Sequence, residues 1–98
     1  AFAQNIVTRY TQGTPSGNRR ISFELKRKGV PAKMRDEILE RLNPEEETER
    51  ARELAKMKWE RFSRLDREKR KKRTYDFLIR RGFDFQTVRD VVEQLENT

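Results

Sequence analysis

Arg20, Phe23 and Arg27 fall on one face of a helix at ~100° per residue, and Ile21 and Leu25 fall on the opposite one. Further along the chain, Arg70, Arg73, Phe77 and Arg81 cluster in the same manner, away from Tyr75 and Leu78. Guanidinium groups around an aromatic ring suit a protein-interface anchor or the stacking of a nucleobase. The competing reading is that Phe23 and Phe77 pack against a neighbouring helix or unit. That reading weighs more at this level, because large aromatics dominate small cores. The run Arg70-Lys71-Lys72-Arg73 can be a solvated face, but the same basic bias occurs twice in the chain, which favours a binding role.

Other chemistry is poorly supplied. The 98 residues contain no histidine and no cysteine, so imidazole acid–base catalysis, thiolate metal sites and disulfides are absent. Glu45, Glu46 and Glu47 read as first-turn helix residues, since contiguous carboxylates diverge and nothing completes a ligand set. The four glycines, at 13, 17, 29 and 82, are too scattered for a phosphate loop. Trp59 reads as core or as an inter-helix wedge. No catalytic residue, metal or cofactor is expected.

Charge points to an anionic partner. Lys and Arg number 24 against 17 Asp and Glu, a formal charge of +7. Residues 19–35 carry seven basic groups and one acid, Glu24; residues 61–81 carry ten basic groups and three acids. Residues 31–42 are balanced, and residues 84–96 set Arg89 against four acids. A helix that read the major groove would not present net negative charge to phosphates, so a sequence-reading helix-turn-helix is disfavoured.

The elements that position these side chains are helical throughout. Phe2, Ile6 and Tyr10 mark an opening helix, followed by a turn-rich loop over Thr11–Gly17. Ile21 and Leu25 mark a second helix that stops at Gly29, and a third starts near Pro31 and runs to Leu42. Asn43-Pro44 then opens a fourth, with an apolar stripe of Ala51, Leu54, Ala55, Met57, Trp59 and Phe62. The fifth begins near Asp66 and stops at Gly82; the sixth is capped by Asp84 and carries Val88, Val91, Val92 and Leu95.

An internal repeat organises the six. Shifted by 53 positions, Arg20, Leu25, Arg27 and Gly29 lie over Arg73, Leu78, Arg80 and Gly82, and the opening helices match at a shift of 48. Each Leu-x-x-x-Gly-apolar stop predicts a glycine at positive φ, with the next residue folded back on the leucine. The expected fold is all-α: two tandem three-helix repeats in an elongated array, residues 1–43 and 44–98. Leu, Ile, Val and Phe supply 22 of 98 residues, a thin core that local helical units tolerate. No run approaches the ~18 apolar residues of a membrane span, and no signal peptide is visible. The chain opens without Met, as a fragment would.

Several of these residues together resemble the RecX family, bacterial regulators of the RecA recombinase. They are Phe2-Ala3 opening the first helix, Arg19-Arg20-Ile21, Glu24-Leu25, Lys28-Gly29-Val30 and Phe77-Leu78 before Arg80-Arg81-Gly82-Phe83. The resemblance covers nearly the whole chain. It implies the second and third of the family's three-helix repeats, with binding along the groove of the RecA–DNA filament. It also implies inhibition of recombinase and ATPase activity, in the cytoplasm, by a protein without catalytic residues. Charge and helix phase nominate Arg19, Arg20, Arg27, Lys28, Arg70, Lys72, Arg73, Arg80 and Arg81 for contact with the partner, and Phe23 and Phe77 as interface aromatics. The expected partners are the RecA filament and single- or double-stranded DNA, bound by a monomer. The alternative is a sequence-independent nucleic-acid-binding protein that contacts phosphates alone.

Overall fold

The computed structural model describes residues 2–13 and 15–98, and every regular element among them is helical. Helix α1 spans Phe2–Thr8 and runs on into a π-helical turn, Arg9–Gly13. The others are α2 (Asn18–Arg27), α3 (Ala32–Arg41), α4 (Pro44–Arg61), α5 (Arg67–Arg80) and α6 (Phe85–Glu96). The expected loop over 11–17 is therefore shorter at its front. The wide turn carries Thr11 onward, and its hydroxyl donates to the Val7 carbonyl at 2.8 Å, satisfying an acceptor at the end of the regular helix. Thr14, within that loop, lies outside the described residues.

Local chemistry sets the helix ends. Asn43 accepts from the Glu45 amide at 2.8 Å, Asp66 from Lys69 at 3.0 Å, and Asp84 from Gln86 and Thr87 at 3.1 and 3.3 Å. Both predicted stops form. Gly29 and Gly82 have φ of 86° and 87°. The Val30 amide donates to Leu25 and the Gly29 amide to Lys26, each at 3.0 Å. Phe83 and Gly82 repeat the pattern onto Leu78 and Ile79 at 3.2 and 3.0 Å. This is the paired hydrogen bonding of a Schellman cap, twice over.

Each half has its own core. Ile6, Val7, Ile21, Leu25 and Val30 form one; Ala51, Leu54, Ala55, Leu78, Phe83, Val88, Val91 and Val92 form the other. Met57 does not join the α4 stripe and stays 47% exposed. At ~100° per residue it lies on the far side of Leu54 from Ala51 and Ala55, while Lys58 takes the inward direction. The result is an elongated molecule, 44 × 19 × 18 Å.

Hydrogen bonds and glycines join the halves. The N-cap of α2, Gly17, has no side chain to cap with, so the partners come from the second half. The Gly17 amide donates to the Arg81 carbonyl at 2.9 Å, and Arg19 to the Gly82 carbonyl at 3.2 Å. Arg81 reaches back to the Pro15 carbonyl at 2.8 Å and the Ser16 hydroxyl at 3.2 Å. Arg50 donates to the Ser16 carbonyl and to Asn18 Oδ1 at 3.0 and 2.9 Å. Approach is close enough that a Cβ on Gly17 would sit 2.2 Å from the Gly82 oxygen, and one on Gly82 would sit 2.4 Å from the Arg20 Cβ.

Candidate anion-binding face

The two middle helices, α2 and α5, carry corresponding arginines into different surroundings. In α2, Glu24 turns inward with a side chain only 5% exposed, and Arg20 and Arg27 close over it. Arg27 donates from Nε at 3.1 Å and Nη2 at 2.9 Å to one carboxylate oxygen, and Arg20 Nε stands 3.5 Å from the other. Burial pushes the Glu24 carboxyl up. The hydrogen bond and charge of Arg27, the charge of Arg20 and the Tyr10 hydroxyl outweigh it and hold the group below the usual carboxylate range. Arg20 also lies over the Tyr10 ring, 6.0 Å from its centroid. Arg27 is thus hydrogen-bonded within α2, and Arg20 is ion-paired there although its Nε makes no hydrogen bond among the described residues.

In α5 the corresponding residues are Arg73, Phe77 and Arg80, with Phe77 where Glu24 stands. Among the described residues, neither Arg73 nor Arg80 has a carboxylate within ion-pair distance. With Lys58, Phe62, Asp76 and Phe77 they line an open groove of about 340 Å³ between α4 and α5. Lys58 Nζ sits 4.4 Å from the centre of the Phe77 ring. Among the described residues the only carboxylate lining the groove, Asp76, is engaged by Lys72 at 3.2 Å.

The nominated residues divide accordingly. Arg81 belongs to the joint, where burial depresses its pKa, with the nearby Arg20 charge adding to the effect. Arg70 stacks on Trp59 at 4.0 Å and donates to the Trp59 carbonyl at 2.8 Å, so Trp59, which joins neither core cluster, orients a cation of α5. Arg19 and Lys28 are exposed on α2 and just beyond it. Phe23 is 59% exposed, against the expectation that it packs inward, because its helix phase opposes Ile21 and Leu25. Phe77 does pack on the second core. The structure brings Arg73, Phe77 and Arg80 together. It sets Arg20, Arg27, Arg70, Lys72 and Arg81 to internal partners.

Charge counting missed two members of the groove, Lys58 and Phe62. The available signal was a lysine at a core-facing phase of α4, where a long stem covers apolar surface and the ammonium emerges at the rim. The acidity of α6 also has a local use. Glu96 accepts from Arg67 at 2.7 Å and pairs with Lys71 at 3.4 Å, and the Arg67 hydrogen bond keeps its carboxyl below the ordinary range. One flank of α5 is thereby partly neutralised, while Arg73 and Arg80 line the groove with α4.

Residues 45–92 match the family model for RecX, third three-helix domain, over the unit that contains this groove. The whole chain aligns with curated relatives named Regulatory protein RecX. That of Prosthecochloris aestuarii is 35% identical over 97% of this chain and 60% of its own length. That of Streptomyces coelicolor is 36% identical over 96% of the chain and 50% of its own length. The chain is similar to RecX proteins over nearly its whole length, and its second unit matches their third three-helix domain. It spans about half to three-fifths of the RecX relatives it matches. No solved structure gives a significant match. Among the described residues no helix is long and apolar enough to cross a membrane.

Proposed function

We propose that the chain is the part of a RecX regulator, residues 1–43 and 44–98 forming its second and third repeats, that binds the RecA–DNA filament in its groove. Binding there restrains recombinase and ATPase activity, in the cytoplasm, without catalysis by the chain itself. The observation that carries this reading is the open α4–α5 groove, whose arginines are unpaired in a chain similar to regulators. An elongated two-unit body 44 Å long suits a continuous helical groove better than one compact target.

Binding to RecA filaments, naked single-stranded DNA and duplex DNA at two salt concentrations tests it. The filament should bind markedly more tightly than the same DNA without RecA at physiological salt. Equal affinities that fall together as salt rises would replace this reading with sequence-independent phosphate binding.

A further inference from the structure

The two copies differ at one position in a way that suggests what the groove receives. Arg20 and Arg27 of α2 correspond to Arg73 and Arg80 of α5, and between them Glu24 corresponds to Phe77. In α2 the carboxylate is supplied by the helix itself and is held at 2.9–3.5 Å by both guanidiniums. Beside it lies Tyr10, whose counterpart in the second copy is Lys58. In α5 the arginines remain, no acid stands at the position of Glu24, and the arginines line an open groove. The first copy is therefore a self-liganded version of the second.

We infer that the α4–α5 groove receives an acidic side chain, Glu or Asp, from a protein partner, with its carboxylate between Arg73 and Arg80 as Glu24's lies between Arg20 and Arg27. This deepens the proposed function and rests on its choice of binding face. Three features favour a carboxylate over a run of phosphates. The internal counterpart is a carboxylate, with one oxygen taken by Arg27 and the other 3.5 Å from Arg20 Nε, so one such group spans both guanidiniums. Phe62 and Phe77 offer apolar walls to the methylenes and neighbours of such a side chain. With Asp76 already paired with Lys72, the positive charge left at the lining is the compact set Lys58, Arg73 and Arg80, which suits one carboxylate better than a continuous polyanion.

The test uses a fluorescent peptide rich in Glu and an oligothymidylate of equal charge, titrated against the 98-residue chain and three variants. Phe77→Glu fills the seat from within and leaves both arginines in place. Gln86→Glu adds the same charge on exposed α6. The double variant Arg73→Gln, Arg80→Gln removes the seat and needs no change to the core, which covers the case in which Phe77→Glu does not fold. Peptide affinity should fall at least about tenfold in the Phe77→Glu and double-arginine variants and change little in Gln86→Glu. Equal losses in Phe77→Glu and Gln86→Glu would overturn the inference, since net charge alone would then explain binding. So would an oligothymidylate that binds more tightly than the peptide and is the probe lost in Phe77→Glu, which makes the groove a phosphate site. Filament binding by the unaltered chain, measured alongside, separates the two claims. A chain that binds filaments but not the peptide sinks this inference and leaves the proposed function; one that binds the peptide but not filaments does the reverse.

Discussion

Glu24 in α2 and Phe77 in α5 occupy equivalent places in two copies of one three-helix unit, and the arginines around them do different jobs as a result. Around Glu24 the guanidiniums cover a buried carboxylate and support the first half of the molecule. Around Phe77 they stay unpaired over an open groove. The lesson concerns what a basic helix signifies. The middle helix is basic in both copies, yet the capacity to bind another molecule depends on whether the fold has already supplied the counter-charge. The two stop glycines make a second such pair. Gly29 has nothing within 4 Å of where a Cβ would stand, whereas Gly82 is pressed against the Arg20 backbone at the joint.

The largest expected effect breaks that second comparison. Gly82→Ala combines an unfavourable positive φ with a Cβ 2.4–2.9 Å from Arg20 atoms, and should cost about 2–4 kcal/mol in urea unfolding. Gly29→Ala bears the φ penalty alone and should cost about 1 kcal/mol. Equal costs would mean that the joint yields freely and does not fix the two halves.

Glu24→Gln should fall between these two, at about 1–2 kcal/mol at neutral pH, because it removes charge-assisted hydrogen bonds from a buried acceptor. The folded-state pKa of Glu24 is lowered, so its contribution is present above the ordinary value of 4.5 and is lost as pH falls through the folded value. The gap between Glu24→Gln and the unaltered chain should therefore close on acidification below about 4.5. A gap that widens there would contradict the assignment of the carboxylate as ionised and paired.

The smallest effects on stability belong to the open face. Reversing charge at Arg73 and Arg80 should leave the melting temperature nearly unchanged, within about 0.5 kcal/mol, while weakening partner binding. Reversing Asp90 and Glu93, exposed on α6, should weaken binding less. If the α6 variant loses binding and the α5 variant keeps it, the binding face lies on the other helix.

The sequence made the six helices, the repeat and both positive-φ glycines legible, because these follow from local periodicity and cap chemistry. It counted Glu24 simply as one acid in a basic stretch. Its burial depends on Arg20, Arg27 and Tyr10 converging, which a charge count along the chain does not register. Met57 was placed in the core by residue type, although helix phase turns it outward. The joint was hidden because its contacts are backbone amides, glycines and two arginine side chains 32 to 66 positions from their partners, with no apolar pattern to announce them.

The most direct measurement compares two double variants, Arg73→Gln with Arg80→Gln and Arg20→Gln with Arg27→Gln, for melting temperature and for binding to RecA filaments per folded molecule. The account predicts that the α5 pair loses binding with its melting temperature kept. The α2 pair should lose melting temperature and keep binding. The reverse pattern, with the α2 pair unable to bind and the α5 pair merely destabilised, would contradict it.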